Sequence, residues 1–344
     1  MPQSSSSSPL RVLGIESSCD ETSAAVLEGP WTLRSNVVAS QSELHAPFGG
    51  VVPEIASRRH VELVTAVIQE ALDRAGVTLD DIQGVAVTNR PGLIGSLLVG
   101  VSAAKSIALV RDLPLVGVHH IEGHVFSPFV AAQRAEVPAV ALVASGGHTE
   151  LYYVRGLHDY EILGRRRDDA AGEAFDKGAR VLGLGNGGGA ALDRASAGGD
   201  PKAVRFPRAR TDHPLDFSFS GVKTALLRYV EEHPDFNLAD TAASYQAAIV
   251  DVLVEHTLQA AELTGARHIG VGGGVAANSA LRQRLTAGAE ARGLTVTFPP
   301  ISLCTDNAGM IAAVGHSLLT RGHRDSLELE TFARGTLTQK LWSG

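Results

Sequence analysis

The sequence of 344 residues contains little of several residue types, and each shortage excludes a class of protein. Only two cysteines occur, Cys19 and Cys304, and they form no CxxC pair. This excludes a disulfide framework and a cysteine-based zinc knuckle, and it is typical of a reducing compartment. Aromatic residues make up 5% of the chain whereas glycine occurs 37 times, which favours an aliphatic α/β core with tight turns over an aromatic-rich β-sandwich.

The sequence also lacks the usual signs of a membrane or secreted protein. It contains no uninterrupted apolar run of the roughly 18 to 20 residues that span a bilayer. Its serine- and proline-rich start has no charged segment before an apolar one, which predicts a disordered tail and no secretory signal. The formal net charge of −7 means that an RNA partner must meet a local basic patch or a second protein. We therefore expect a cytoplasmic protein without membrane contact.

One order of structural elements occurs twice along the chain. Residues 11–28 and residues 137–154 each have the pattern of strand, polar turn and strand, followed by alternating helices and strands. A doubly wound sheet would not begin with a hairpin, so the pattern indicates a duplicated α/β unit. The predicted parts are a disordered tail at 1–10, an N-terminal lobe at 11–117 completed by about 325–344, and a C-terminal lobe at 118–324.

Three histidines occur within six residues, HHIEGH, at the end of a predicted buried strand. If this segment is helical, His120 and His124 are spaced i, i+4, so both imidazoles can reach one ion. Glu122 lies two residues after His120, and the motif is therefore HxxxH and not the HExxH of zinc proteases. Most isolated HxxxH pairs cap or pack a helix, but three histidines at the carboxyl end of a strand favour a ligand site.

A third metal ligand is expected to be a carboxylate at the end of another element. Asp306 precedes a predicted helix and is the best candidate, although an ordinary N-cap role is about equally consistent with its position. Two histidines and one carboxylate leave open positions on iron(II) or zinc. Such an ion could polarise a phosphate or carbamoyl oxygen.

Two glycine-rich turns follow predicted strands and could bind a nucleotide. In ASGGHT, residues 144–149, successive glycines allow backbone N–H groups to converge on an anion, and a plain tight turn is the alternative. In VGGGVAANSALR, the glycines at 272–274 precede a helix near which a phosphate or adenine could lie. Asn278 in that segment could bind the ligand or merely cap the helix.

Acidic residues around a third glycine-rich stretch, and two basic segments, could also bind a ligand. Asp176, Gly189 and Asp193 flank a flexible turn that could accept ribose hydroxyls, although Asp193 could instead be a solvated turn residue. The basic segments at 165–167 and 202–210 could contact RNA phosphates, although solvated surface is the more common role of such segments.

Eight segments in order resemble the bacterial TsaD/Gcp family, the tRNA N6-adenosine threonylcarbamoyltransferases. They are LGIESSCDET, HAPFGGVVPEIASRRH, HHIEGH, SGGHT, DDAAGEAFDK, DFSFSGVKT, GGGVAANSALR and CTDNAGMIA, and they extend from about Arg11 to the last predicted helix. The resemblance implies an α/β fold of the actin- and hexokinase-like (ASKHA) class with two duplicated lobes. It also implies transfer of L-threonylcarbamoyl from threonylcarbamoyl-AMP to N6 of the adenosine 3′ to the anticodon, in tRNAs that read codons beginning with A.

The resemblance further implies site residues, cofactors and partners. The implied metal ligands are His120, His124 and Asp306, which would hold one divalent metal, Fe²⁺ in preference to Zn²⁺. The implied substrate-binding residues are Val143, Ala144, Ser145, Gly146, Gly147, Asp176, Gly189, Asp193 and Asn278. ATP or ADP could occupy the same site, and no side chain is assigned as catalytic. The implied partners are tRNA, TsaB-like and TsaE-like proteins, and a TsaC/Sua-type synthase that supplies the adenylate.

Two segments depart from the pattern of this family. The family usually has YPGGP where residues 186–190 read NGGGA, so the loop loses the stiffening that proline provides. It commonly has AGPGL where residues 89–93 read NRPGL, so Arg90 brings a charge to the expected site. The sequence leaves open whether Arg90 contacts tRNA, a partner lobe or solvent.

Three other functions are compatible with parts of the sequence. A metalloprotease would use the paired histidines, but the glutamate that follows the first histidine in HExxH is missing. An ATP-driven scaffold would use an actin-like cleft as a switch and would tolerate loss of the metal. A carbamoyl transferase that acts on a small molecule would share the fold and the adenylate, and it would form its product without tRNA.

Overall fold

The computed structural model describes residues 9–185 and 188–337, and these residues form two compact units. The first unit consists of the described residues up to Phe126 together with Asp306–Leu337, and the second is Ser127–Thr305. The strands in the described ranges are β1 Arg11–Glu16, β2 Glu21–Glu28, β3 Thr32–Ser40, β4 Gly84–Arg90, β5 Leu115–His119, β6 Ala139–Ala144, β7 Thr149–Gly156, β8 Asp159–Arg165, β9 His268–Gly272 and β10 Thr295–Thr297. The α-helices there are α1 Ser42–His45, α2 Pro53–Ala75, α3 Ile94–Arg111, α4 His120–Ala132, α5 Ala171–Val181, α6 Gly188–Ala195, α7 Ser220–Glu232, α8 Leu238–Thr264, α9 Ser279–Glu290 and α10 Ala308–Thr320.

The first unit contains a five-stranded sheet with the order β3-β2-β1-β4-β5. The first three strands pair antiparallel, whereas β1, β4 and β5 run parallel. Because successive side chains point to opposite faces, Leu13 and Ile15 pack with α2 and α3 while Gly14 faces α10. A Cβ on Gly14 would lie 2.4 Å from the carbonyl oxygen of Ala308, so glycine is required for this close approach.

The second unit repeats this arrangement. Its sheet has the order β8-β7-β6-β9-β10, in which β6, β7 and β8 pair antiparallel and β6, β9 and β10 run parallel. Each strand thus has a counterpart in the first sheet with the same neighbours and direction, and the predicted duplication of a hairpin-led α/β unit is confirmed. α8 packs along this second sheet, begins at an Asn237 cap on the amide of Asp240 and ends at Gly265 in the left-handed conformation.

The third strand of each sheet is missing from the sequence prediction. β3 and β8 both lie at a sheet edge, and most of their side chains are exposed or only partly buried. Edge strands of this kind carry mixed polar and apolar residues, so they lack the clean apolar pattern that identifies β1 and β6.

The two units divide the chain at Phe126 and Asp306, whereas the sequence placed the lobe boundaries near residues 117 and 324. α10 packs against β1 and β4, so the segment from Asp306 belongs with the first sheet. The first turns of α4 join it because Gly123 lies against Met310 and Ile311. Most of the predicted tail at 1–10 and the end of the predicted returning segment, 338–344, lie outside the described residues.

One helix is long and apolar enough to cross a membrane, although the sequence contains no uninterrupted apolar run of that length. α3 has 18 residues and a mean hydropathy of 1.5, which meets the length and composition of a spanning helix. The polar residues Ser102, Lys105 and Ser106 interrupt its apolar run. Its buried residues pack into the core of the first unit, so α3 is a partly buried core helix.

Candidate functional site

The paired histidines lie where β5 passes directly into α4. His119 ends the strand and His120 begins the helix, so His120 and His124 are one helical turn apart on the same face. Their rings are 4.7 Å apart between centroids, and both side chains are buried. Gly123 lies between them because a Cβ there would be 2.9 Å from side-chain atoms of Met310. Glycine at this position thus allows α10 to pack closely against α4.

Asp306 faces the two histidines from the chain segment before α10. Its Oδ1 atom lies 3.1 Å from Nε2 of His124 and 3.4 Å from Nε2 of His120. The N-cap of α10 is the next residue, Asn307, whose side chain accepts a hydrogen bond from the amide of Met310 at 3.1 Å. The alternative role of Asp306 as an N-cap is therefore taken by its neighbour.

This group, His120, His124 and Asp306, has the chemistry and spacing of a metal site. One ligand atom from each residue lies within 4.8 Å of the others. Ligands on an ion with bonds of about 2.0–2.1 Å are separated by roughly 3.0–3.4 Å, which is close to the two distances from Asp306. The three residues could hold a metal ion, and two imidazoles with one carboxylate suit iron or zinc.

The charges around this group favour a cation. Burial alone would lower the pKa of His120, but the carboxylates of Asp306 and Glu16 outweigh it and raise that pKa well above its ordinary value. Burial would raise the pKa of Asp306, but His120 and His124 hold it well below its usual range. A positive charge beside Asp306 is therefore stabilised, whether a proton or a metal ion supplies it.

Sequence reasoning missed one buried carboxylate at this site. Glu16 ends β1, is 1% exposed, and its Oε2 lies 3.0 Å from Nδ1 of His120. Its carboxylate also accepts hydrogen bonds from the hydroxyl of Thr88 and the amide of Ser18, each at 2.5 Å. An acidic residue at the end of an otherwise apolar strand was the available signal.

The first glycine turn joins β6 to β7 in the second unit. Gly146 and Gly147 are exposed, and the space where their Cβ atoms would lie is open. The turn is held at its base because the Ser145 amide donates to the His148 carbonyl at 2.8 Å and the Gly172 amide donates to the Ser145 carbonyl at 3.1 Å. Val143 and Ala144 are fully buried in β6, so only their backbone atoms could contact a ligand.

The second glycine turn follows β9, which is the parallel neighbour of β6. Val143 pairs with Gly272, so the two turns leave the same edge of the sheet side by side. Gly273 has a φ of 89°, and a Cβ on it would lie 2.3 Å from the Ala144 carbonyl oxygen. The structure thus brings together the two turns that the sequence identified separately.

The four remaining predicted binding residues occur as two hydrogen-bonded groups. Asp176 in α5 accepts a hydrogen bond from the Gly189 amide at 3.0 Å, and burial raises its pKa. Asp193 in α6 accepts hydrogen bonds from the amide and hydroxyl of Ser279, at 3.1 and 2.7 Å. Asn278 caps α9 on the Leu281 amide at 2.9 Å, so its alternative role as a helix cap is observed.

The two departures from the family pattern have different outcomes. Arg90 ends β4 and is partly buried in the first unit, where its Nη1 donates to Oδ1 of Asn89 at 3.1 Å. Burial lowers the pKa of Arg90, and the charges of Glu122 and Asp325 oppose that effect. Arg90 therefore faces acidic residues of its own unit. In the altered loop at 186–190, Asn186 and Gly187 lie outside the described residues, and Gly188 begins α6.

Comparison with known proteins identifies close relatives over most of the chain. The sequence profile of TsaD, tRNA N6-adenosine threonylcarbamoyltransferase, matches residues 32–313. The tRNA N6-adenosine threonylcarbamoyltransferase of Symbiobacterium thermophilum is 55% identical over 321 residues, which are 92% of this chain and 94% of that protein. The enzyme of the same description from Syntrophus aciditrophicus is 52% identical over 330 residues, which are 95% and 97% of the two chains.

Solved structures share the fold at low sequence identity. Component A of (R)-2-hydroxyglutaryl-CoA dehydratase from Acidaminococcus fermentans matches with a TM-score of 0.55 at 14% identity, over 90% of this chain and 99% of that chain. Full-length HypF in its phosphate- and nucleotide-bound form matches with a TM-score of 0.60 at 15% identity, over 91% of this chain and 47% of that chain. These neighbours have the actin- and hexokinase-like fold, so the predicted fold class is confirmed. The profile match and the two close relatives together show that this chain belongs to the TsaD family and is a tRNA N6-adenosine threonylcarbamoyltransferase.

Proposed function

We propose that this transferase works with one divalent metal, Fe²⁺ in preference to Zn²⁺, held by His120, His124 and Asp306. The observation that carries the proposal is the buried group of two imidazoles and one carboxylate with ligand atoms within 4.8 Å. Two histidines and one carboxylate form the ligand set of many non-haem iron(II) sites. When bound, the metal would supply Lewis-acid chemistry toward a carbamoyl or phosphate oxygen.

The second unit is proposed to bind the nucleotide part of threonylcarbamoyl-AMP. In the turn at 145–147, the amides of the exposed Gly146 and Gly147 suit an anionic phosphate, because glycine residues leave the backbone open to a ligand. Asp176, Gly189, Asp193 and Asn278, with the backbone of Val143 and Ala144, are proposed to bind the nucleoside. ATP or ADP is expected to compete for the same residues.

The transfer itself needs positioning more than a catalytic side chain. N6 of the tRNA adenosine attacks the carbamoyl carbon, a C–N bond forms, the bond from that carbon to the phosphate oxygen breaks, and AMP leaves. The amides of Gly146 and Gly147 would stabilise the negative charge on the leaving phosphate. None of the described side chains is assigned as the base that removes the N6 proton.

The metal proposal is tested by replacing both histidines. The His120→Ala, His124→Ala double variant should lose bound metal and tRNA modification, because both imidazole ligands are removed. It should keep its fold, because alanine favours the helical conformation of α4. The control is a double variant of exposed histidines, His213→Ala with His233→Ala. Near wild-type modification by the first variant would contradict the proposal.

The reaction is measured by liquid-chromatography mass spectrometry of tRNA nucleosides. The full chain is incubated with tRNA, threonine, bicarbonate, ATP and partner extract, and threonylcarbamoyladenosine is quantified. Parallel samples without tRNA test for a small-molecule carbamoyl product, and peptide substrates with and without chelator test for proteolysis. Product that forms only with tRNA supports the transferase over each of these rivals.

The partner proteins are proposed to be TsaB-like and TsaE-like, with a TsaC/Sua-type synthase as the source of the adenylate, in the cytoplasm and away from membranes. An apolar groove of about 680 Å³ lies between α2 and α3, and its rim includes Val61 and Leu98, which are 64% and 49% exposed. Exposed apolar surface on a helix pair is typical of a protein interface. We assign this groove to the TsaB-like partner.

This assignment is tested by placing charge in the groove. A Val61→Glu, Leu98→Glu variant should lose the complex with the TsaB-like protein in size-exclusion chromatography, because a buried unpaired carboxylate opposes association. Leu263→Glu on α8, at a residue that is 68% exposed, is the matched control and should keep the complex. Retention of the complex by the Val61→Glu, Leu98→Glu variant would show that the interface lies elsewhere on the protein.

A further inference from the structure

The two ring nitrogens of His120 face different partners. Nε2 of His120 faces Asp306 at 3.4 Å, whereas Nδ1 lies 3.0 Å from Oε2 of Glu16 and 3.2 Å from Oγ of Ser18. Glu16 is buried, and a buried carboxylate needs hydrogen-bond donors to offset its lost hydration. Two donors are present, the Thr88 hydroxyl and the Ser18 amide, and the nearby Nδ1 of His120 is a third.

We propose that Glu16 is a positioning residue that holds His120 in the form with hydrogen on Nδ1, so that Nε2 is bare and aimed at the metal. An ionised carboxylate only accepts hydrogen bonds, so its partner nitrogen has to donate. Metal-ligating histidines commonly donate their other N–H to a carboxylate, which fixes the ring and raises the basicity of the ligating nitrogen. This inference rests on the proposed metal site and names a residue outside the three ligands.

The position of Glu16 is itself held by the sheet. Thr88 lies on β4, the parallel neighbour of β1, and its hydroxyl donates to Oε2 of Glu16. Ser18 follows β1 and its amide donates to Oε1 of the same carboxylate at 2.5 Å. One carboxylate oxygen is therefore oriented by a group on β4 and the other by the turn after β1, and His120 is oriented through them.

The second histidine has no comparable partner. Nδ1 of His124 is buried and has no hydrogen-bond partner among the described residues. The two ligands are thus unequal, since one is oriented by a carboxylate and the other by packing alone. We expect the affinity for metal to depend on Glu16 through His120.

The test compares Glu16→Gln with Glu122→Gln in the full chain. Glu122 is also 1% exposed and lies two residues from His120, but its charge acts on Arg90. Both substitutions keep side-chain volume and remove one buried charge. Metal affinity is measured by titrating Zn²⁺, and Fe²⁺ without oxygen, against a chromophoric chelator, and unfolding is measured on the metal-free chains.

Glu16→Gln should weaken metal binding by about 10- to 100-fold, as for other partners of metal-ligating histidines, while Glu122→Gln should bind as the wild type does. In the zinc-loaded protein, ¹⁵N NMR of labelled histidine should place the hydrogen of His120 on Nδ1 in the wild type, and Glu16→Gln should change that signal. Equal metal affinity and an unchanged NMR signal in Glu16→Gln overturn this inference alone. A wild-type chain that binds neither metal overturns the metal proposal as well.

Discussion

At the scale of single residues, Asp306 and Asn307 are adjacent and have different roles. Both are short polar residues before an apolar helix, and either could cap it. In the folded chain Asn307 accepts from the Met310 amide, and Asp306 is left to face His124. The sequence could not distinguish the two because the choice depends on α4, which is far away along the chain.

Replacing these neighbours one at a time should separate stability from metal binding. Asp306→Asn should weaken metal binding by more than the roughly 10- to 100-fold expected for an orienting partner, because a ligand loses its charge. Asn307→Ala should lower the free energy of unfolding by about 0.5–2 kcal/mol through loss of the cap and should leave metal affinity near that of the wild type. Urea unfolding and metal titration of both variants measure the two effects. Loss of metal affinity in Asn307→Ala, with loss of stability in Asp306→Asn, would mean that Asn307 is the ligand and Asp306 the cap.

His60 is predicted to make stability depend on pH. It is fully buried in α2, with Nδ1 2.7 Å from the Thr22 hydroxyl and Nε2 2.9 Å from the Cys19 carbonyl. Burial lowers the pKa of His60 from 6.5. As the pH is lowered, His60 is therefore protonated in the unfolded chain before it is protonated in the folded chain. The free energy of unfolding falls as the pH drops below about 6.5.

A His60→Gln variant measures this contribution. It should be less stable than the wild type at pH 8, because it loses two buried hydrogen bonds of the ring, but its stability should fall less between pH 7 and pH 5. Urea unfolding across that range gives both values. An equal fall in both proteins would mean that other groups cause the acid sensitivity.

At the scale of elements, the nucleotide turn depends on how closely α5 approaches it. Gly172 lies in the first turn of α5, and a Cβ there would be 2.5 Å from the Ser145 carbonyl oxygen. The same glycine donates its amide to that carbonyl. The position of the turn at 145–147 is thus determined by a helix that the sequence prediction treated as a separate element.

Gly172→Ala should move this turn and weaken nucleotide binding. The added methyl group cannot be accommodated without displacing backbone atoms of Ser145 and Gly146, and the amides of Gly146 and Gly147 would shift with them. We expect a higher Kd for ATP, measured by isothermal titration calorimetry. Gly221→Ala on α7, where the Cβ position is open, is the control, and an unchanged Kd in Gly172→Ala would contradict the role of the turn.

At the scale of the whole molecule, an acidic protein has to bind an acidic substrate. The net charge is −7, so tRNA must be received by a local basic surface. Within the described residues, Arg205 and Arg210 border a cavity of about 730 Å³ that also includes His256. Arg208, beside them, is already paired with Asp251, so we expect Arg205 and Arg210 to be the residues that contact phosphate.

Removing these two charges should weaken tRNA binding in a salt-dependent way. For Arg205→Ala with Arg210→Ala, the slope of log affinity against log salt should fall by roughly 0.7–0.9 for each phosphate that an arginine no longer neutralises. Arg267→Ala with Arg292→Ala removes the same charge elsewhere on the second unit and is the control. Equal slopes in the two double variants would show that this cavity does not receive the tRNA backbone.

Much of the architecture could be predicted from local pattern. The hairpins that open the two units, the long helices α2 and α8, and the spacing of His120 and His124 are properties of consecutive residues, so composition and periodicity reveal them. Local pattern did not predict four other elements, because their apolar and polar residues follow no clear period. These are the edge strands β3 and β8 and the helices α6 and α7. Family membership came from ordered motifs, which are also a property of the sequence alone.

The sequence by itself determined the duplicated fold, the family and the candidate ligands, because each is encoded in runs of neighbouring residues. Only the tertiary structure decided that Asp306 and not Asn307 faces the histidines, that Gly123 and Gly172 allow close packing, and that Glu16 lies against His120. Those interactions join residues far apart in the chain. They depend on how helices pack on the sheets, which no local pattern records.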